Sequence, residues 1–423
     1  MGRNFVKTLA AMAALTLTIG CSKSSDSAST APKTLYVASG LCYSGSGITT
    51  YNQSTSSRAV TRWNTSTGRV IDTFTDLNMG SNVSVNTVPQ SMIDKGDSIL
   101  LLTENATTTG DRKVFKINKA NPGTYITYAN DPTAFTSAVG DITRSMAQDS
   151  DGSLLFSKST FMERLNSVGV RIVKGGANPW VNSNAAAGNC FTAAATLIPS
   201  IAVMTPFTNM NQGKLVYLHA GATAAVNRIG IISRSGLTTA TAGDCIASSP
   251  AGGLSGTAHV NAANLSGPVG FNVASGASPT SMIYIPTPAP AVTSGKLLVT
   301  YSAAVNTQFD NNTFFNYGIV SWDVTETLDT AATLNNPTIL YRDESVLWAP
   351  SAITYDAATG SVYVAVGGSP SLINQTTQNF GYNIEKFKYD MATPLLTRVS
   401  VNNQPFITGN TNTKCISHMI IAD

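Results

Sequence analysis

A short motif recurs six times along these 423 residues, and its last copy is cut short by the C-terminus. Pro89-Gln90-Ser91-Met92-Ile93 and Pro279-Thr280-Ser281-Met282-Ile283 show it in full. Thr143-Arg144-Ser145-Met146-Ala147, Pro199-Ser200-Ile201-Ala202-Val203, Pro350-Ser351-Ala352-Ile353-Thr354 and Ile416-Ser417-His418-Met419-Ile420 are degraded copies. Each of the first five precedes a strand-like run, at 98–102, 153–157, 214–219, 296–301 and 361–366. The sixth runs out at Asp423, and the run that would complete it, Thr34-Leu35-Tyr36-Val37-Ala38-Ser39, stands at the other end of the chain. A set of repeats whose last member is completed from the N-terminal side is expected to close into a ring.

The copies begin at 89, 143, 199, 279, 350 and 416. Units of that size hold about four short strands between turn signals, which is the material of one propeller blade. The expected fold is therefore all-β: a six-bladed β-propeller of four-stranded antiparallel blades, closed by the C-terminal strand A and the N-terminal strand B in one blade. Seven blades is the alternative. With strands named A to D from the centre outward, the motif is A and the following run is B. Strand C falls at 58–64, 112–118, 160–166, 227–233, 317–323 and 383–389, where apolar residues alternate as in Val320, Trp322 and Val324. Asn-Thr-Ser-Thr-Gly (64–68) and Asn-Ser-Val-Gly (166–169) supply turn chemistry from C to D. The D pattern is faint, most of all in the fourth unit. Asp94, Asp149, Asp356 and Asp423 end strand A, and Gly96, Gly152 and Gly360 follow the first three, which predicts tight A–B turns. Asp149-Ser150-Asp151-Gly152 could begin a calcium loop, but the acidic residue that closes such a loop is missing.

Residues Met1 to Cys21 read as an export signal, with Arg3 and Lys7 ahead of an apolar run, Thr8 to Gly20, too short to span a bilayer. Leu17-Thr18-Ile19-Gly20-Cys21 resembles a bacterial lipoprotein signal, although Thr18 departs from the usual Leu. That resemblance implies removal of 1–20, a lipid on Cys21, a flexible tether over 21–33 and a single propeller domain over 34–423. Ser22 after the cysteine implies the outer membrane if the cell is Gram-negative. Without Arg3 and Lys7 the chain carries 24 basic and 23 acidic side chains. So neutral a balance gives no electrostatic footprint for nucleic acid.

Four cysteines remain, Cys42, Cys190, Cys245 and Cys415, which can pair in three ways. None of them has the close spacing of a zinc site. In a closed ring the end of strand B lies beside the start of strand A, so Cys42 is expected to meet Cys415. Cys190 and Cys245 pair by exclusion and would staple the Ala/Gly/Ser/Thr-rich excursions 175–197 and 237–278.

No hydrolase, P-loop or dinucleotide motif occurs. The histidines, His219, His259 and His418, are far apart, and His418 falls on the innermost strand. The second motif position is expected to ring the channel mouth with Gln90, Arg144, Ser200, Thr280, Ser351 and Ser417, a set without a carboxylate. No metal or other cofactor is expected from it. Connections B–C and D–A are long and share one end of the ring. They carry aromatics among uncharged polar residues: Tyr43 and Tyr51; Phe309, Asn311, Asn312, Phe314 and Phe315; Gln378, Phe380 and Tyr382; and Trp180 and Trp348. Rigid rings beside adaptable amides suit a protein or glycan surface, unless the rings fold back over the blade ends.

Through the strand pair Pro350-Ser351-Ala352-Ile353-Thr354-Tyr355-Asp356-Ala357-Ala358-Thr359-Gly360-Ser361-Val362-Tyr363-Val364-Ala365, the chain resembles bacterial propellers of the YVTN or quinoprotein-like kind. The resemblance spans 34–423 at the level of architecture and implies a binding platform. The expected function is a lipid-anchored cell-envelope binding or scaffold protein that presents its long-loop face to a partner. The alternative is a metal-dependent propeller hydrolase or lactonase.

Overall fold

The computed structural model describes residues 33–40, 42–43, 51–52, 57–77, 87–105, 112–130, 135, 143–149, 152–158, 161–172, 181–182, 198–204, 214–219, 228–233, 260–261, 278–287, 294–302, 317–326, 332–343, 345–367, 382–409 and 413–423. In chain order the strands begin with β1 (Thr34–Ser39), the small hairpin β2 (Cys42–Tyr43) and β3 (Tyr51–Asn52), β4 (Ala59–Asn64) and β5 (Val70–Asp76). Then come β6 (Val88–Asp94), β7 (Ser98–Glu104), β8 (Val114–Asn118), β9 (Tyr125–Ala129), β10 (Thr143–Gln148), β11 (Leu154–Lys158), β12 (Phe161–Leu165) and β13 (Val181–Asn182). With the sheet closed by the two termini counted as the first repeat, the fourth and fifth repeats give β14 (Ile201–Met204), β15 (Lys214–His219), β16 (Arg228–Ser233), β17 (Val260–Asn261), β18 (Ser278–Pro286), β19 (Ser294–Ser302), β20 (Tyr317–Glu326) and β21 (Ala332–Tyr341). The last are β22 (Ala352–Asp356), β23 (Ser361–Val366), β24 (Asn383–Asp390) and β25 (Leu395–Arg398), which form the sixth repeat, and β26 (Ile416–Ala422).

These strands form an all-β propeller of four-stranded antiparallel sheets. Six such sheets are present among the described residues, ordered β26-β1-β4-β5, β6-β7-β8-β9, β10-β11-β12-β13, β14-β15-β16-β17, β18-β19-β20-β21 and β22-β23-β24-β25. The innermost strands touch in a cycle: β26 lies beside β6, β6 beside β10, β10 beside β14, β14 beside β18, β18 beside β22, and β22 again beside β26. The C-terminal strand pairs with the N-terminal one, from Thr34 opposite Ala422 to Ser39 opposite Ile416. Apolar cores fill the spaces between neighbouring sheets. Leu298, Ile319, Val364 and Phe387 pack between the fifth and sixth repeats, for example, and Leu102, Val114, Phe156 and Leu165 between the second and third. Each side chain buried in this way contributes roughly 1.5–3 kcal/mol. The B strands β7 and β23 are buried along their whole length, on both faces, for the same reason.

The motif has a geometry its residue types do not announce. In β6, Pro89 pairs with Thr103 and Ser91 with Leu102, so Gln90 is an extra residue, a β-bulge. The same irregularity falls on Arg144 and Ser145 in β10, on Thr280 in β18 and on Ser417 in β26. Pro89 and Pro279 are tolerated because strand A is the edge of its sheet, where a missing N–H breaks no ladder.

The A–B turns carry the expected Asp chemistry. The Gly96 N–H donates to Asp94 Oδ1 at 2.9 Å, and the Ala358 N–H donates to Asp356 Oδ1 at 3.1 Å. Asp149, the first residue of the supposed calcium loop, is instead paired with Arg164 at 3.1 Å.

Candidate functional site

The two ends of the molecule differ. Most A–B and C–D links are short, such as 95–97 between β6 and β7, 357–360 between β22 and β23 and 391–394 between β24 and β25. Most B–C and D–A links are long, such as 303–316, 367–382 and 399–415. Three links run against the trend: 166–180 between β12 and β13, 234–259 between β16 and β17, and 159–160 between β11 and β12.

At the long-link end a cavity of about 340 Å³ opens on the sixth repeat. Its walls come from the D–A link 342–351, the ends of β23 and β25, the start of β24, and the link 399–415. The floor is an ion pair. Arg398, at the end of β25, donates through Nε and Nη2 to the two carboxylate oxygens of Glu385 on β24, at 2.9 and 2.8 Å. Desolvation pushes the Glu385 carboxyl above its ordinary value, and the Arg398 guanidinium opposes that shift without cancelling it. The Arg398 guanidinium is raised by the same contact. Nη2 of Arg398 also donates to the carbonyl of Asn403 at 3.3 Å, tying the floor to the rim.

That rim is a two-residue turn. Val401 and Gln404 face each other across Asn402 and Asn403, whose φ values of 55° and 59° are those of a type I′ turn. Asn tolerates this left-handed region better than most residues because its short side chain can bond locally. On the opposite wall Ala349, next to Trp348, has φ 44° without that help. Of the six non-glycine residues with positive φ among the described residues, Asn403 lines this cavity, and Asn402 and Ala349 are chain neighbours of the lining residues Asn403 and Trp348. Such conformations cluster at ligand sites, where the surrounding fold over-determines them.

Of the aromatic residues expected at this end, Trp348 and Tyr382 both line the cavity. Trp348 does not stand out as an exposed anchor. It is buried against Tyr317, ring centroids 4.9 Å apart, and its ring folds back over the blade end because the core between the fifth and sixth repeats continues into the link. Tyr382 is half-buried. The backbones of Tyr43 and Tyr51 are paired opposite one another in the β2–β3 hairpin. Phe309, Asn311, Asn312, Phe314, Phe315, Gln378, Phe380 and Trp180 lie outside the described residues, as do Cys21, Cys190 and Cys245. Glu385, Arg398, Asn403 and Gln404 were not singled out in the sequence. The Val-Asn-Asn-Gln stretch at 401–404 was the one local signal for them.

The six channel-mouth residues are present, but they are not an open ring of free side chains. Gln90, Arg144, Ser200, Thr280 and Ser351 are buried and Ser417 is half-buried. Ser351 donates to the Ile416 carbonyl at 2.8 Å, Ser417 to the Pro89 carbonyl at 3.2 Å, and Thr280 bonds Thr300. Their hydroxyls tie neighbouring strands. Hydroxyls, one amide and a guanidinium do not fit a calcium ion, which takes six to eight oxygen ligands including carboxylates. No cluster of three or more His, Cys, Asp or Glu occurs among the described residues.

Fold and site together define the class: an all-β propeller with a small, strained cavity at its long-link end. The chain matches no protein-family model and no curated protein. Among solved structures it is similar to hydrazine synthase of Kuenenia stuttgartiensis (8% identity, TM-score 0.42, covering 79% of this chain and 71% of that one). A protein of unknown function from Bacteroides caccae gives 10% identity, TM-score 0.44 and coverage of 92% and 99%. A gluconolactonase from Xanthomonas campestris gives 12%, 0.36, 75% and 80%. At these values no likeness decides what the chain does.

Proposed function

We propose that this protein is a cell-envelope binding protein: the six sheets are the blades of one ring, a lipid on Cys21 anchors it, and the long-link end receives a protein or glycan partner. The observation that carries this reading is the asymmetry of the two ends, with the cavity on the long-link one. Functional surfaces collect on loops held by a rigid scaffold. The chain enters the domain at Thr34, opposite Ala422 and so at the short-turn end. A lipid upstream would hold that end toward the outer membrane and leave the long links free.

The test is capture of a partner from native envelope by the immobilised protein. Replacing Phe314, Phe315 and Phe380 with Ala should abolish capture with little change in thermal midpoint, and undiminished capture would sink the proposal. Cys21→Ser should shift the protein from the membrane to the soluble fraction. Stoichiometric calcium or zinc in the purified protein would instead favour the metal-dependent hydrolase or lactonase.

A further inference from the structure

We infer that the cavity on the sixth repeat binds one uncharged sugar residue, the exposed end of a neutral glycan; this rests on the binding reading above and names its ligand class. The charge of the cavity is the first reason. Its charged lining side chains are Glu385 and Arg398, and each satisfies the other through two parallel hydrogen bonds. Neither a carboxylate nor an ammonium ligand finds a counter-ion there without breaking that pair. A buried ion pair with one member withdrawn leaves an uncompensated charge, so the walls select against charged ligands.

What remains of the lining is suited to hydroxyl groups. Asn403 and Gln404 on one rim, with Thr408 and Ser345, offer amides and hydroxyls, and all four residues are exposed. An amide presents donor and acceptor together, as does a hydroxyl, and a sugar hydroxyl needs both. The Ser345 hydroxyl already donates to Asp343 Oδ1 at 2.6 Å, so it faces a ligand as an acceptor. The apolar walls complete the match. Trp348 and Tyr382 lie on glycines: a Cβ at Gly367 would stand 2.4 Å from Cδ1 of Trp348, and one at Gly409 would stand 2.3 Å from Cδ1 of Tyr382. Both rings are thus set by backbone that no other residue would allow so close. An aromatic wall beside amides is the arrangement that takes the apolar face and the hydroxyl rim of a pyranose or furanose together. The cavity, about 340 Å³, lies at the small end of the range of ligand pockets and holds a terminal residue rather than a chain.

The experiment titrates the full-length protein in detergent with maltose, cellobiose, lactose and an arabinose disaccharide, and with glucuronic acid as the charged control. Saturation-transfer NMR finds binding and calorimetry measures it. At least one neutral disaccharide should bind, glucuronic acid should not, and Gln404→Ala should weaken binding about three- to tenfold with an unchanged melting curve. Thr408→Trp, which fills the mouth, should abolish it and serves if the first variant folds poorly. Absence of binding by all four disaccharides, equal binding by both variants, or preference for glucuronic acid overturns the inference. Envelope capture that survives Gln404→Ala and Thr408→Trp while failing in the Phe314, Phe315 and Phe380 replacement would leave the binding reading standing and remove the sugar from it.

Discussion

His418 shows what a single side chain does in this ring. Its Nδ1 accepts the backbone N–H of Met92, 3.2 Å away on the innermost strand of the next sheet. Ser91 Oγ accepts from Met146 at 3.0 Å, and Ser145 Oγ accepts from Ile201 at 3.1 Å. One motif position thus laces strand to strand, with histidine in place of serine at the closure. Accepting at Nδ1 requires a neutral imidazole with its proton on Nε2. The surrounding protein enforces this, and burial pushes the pKa from 6.5 down to about 4. The unfolded chain binds the proton more readily than the folded one between those values, so stability is full above pH 6.5 and falls as pH drops toward 4. The loss amounts to about 3 kcal/mol as an upper figure. Urea unfolding at pH 7 and pH 4.5 should show a larger drop for the native chain than for His418→Ser, which keeps an acceptor that does not titrate there. An equal drop in both would remove His418 from the account. At a sister position Ser91→Ala strands the buried Met146 N–H, at a cost of about 1–3 kcal/mol in the same assay.

At the scale of elements, strand A and its bulge decide how sheets meet. Gln90 is the extra residue at the bulge of β6, and removing it would shift Val88 by one place and turn a fully buried side chain to the opposite face. Deleting Gln90 should destabilise the protein by about 2 kcal/mol or more, whereas Gln90→Ala should cost clearly less, because the register survives. Equal losses would mean that the bulge carries no register. Neighbouring repeats are also tied at the long-link end. Glu104, ending β7, receives Arg112 Nε at 2.6 Å and both the N–H and the hydroxyl of Thr143 in β10, at 2.6 and 2.7 Å. Desolvation pushes this carboxyl up, and those donors oppose the shift. Glu104→Gln leaves the Arg112 charge buried without its carboxylate and should cost about 3–5 kcal/mol. How far these elements were legible follows from their chemistry. Strands A, B and C were readable because the alternation of Val320, Trp322 and Val324 or the run Ser361 to Val366 is local. β13 and β17 were faint because they pair over two residues only. The bulge stayed hidden because it exists only relative to a partner strand. Glu385 and Arg398 look like solvated strand charges until the fold brings them together across a hairpin.

At the scale of the molecule, everything depends on one seam. β26 is the innermost strand of its sheet, yet its sheet partner β1 lies at the other end of the described residues, and it touches β22 on one side and β6 on the other. The main chain holds the seam through the ladder from Thr34 to Ser39 and the bond from Gly40 N–H to the Cys415 carbonyl, 2.8 Å. Cys415 is disulfide-bonded. The ladder carries Cys42, two residues beyond Gly40, toward it, so Cys42 is the partner we propose. A crosslink between positions so distant in sequence closes a loop of most of the chain. In the chain-entropy picture it removes freedom from the unfolded state worth on the order of 5 kcal/mol. Because that freedom is lost from the unfolded chain, the crosslink should act on the global transition and leave the cavity on the sixth repeat intact at room temperature. Peptide mapping without reduction should therefore recover 42 joined to 415, and Cys42→Ser and Cys415→Ser should lower the thermal midpoint alike, with no further loss in the double variant. Recovery of Cys42 joined to Cys190 or Cys245, or additive losses in the double variant, would show that the seam is held by strand pairing alone.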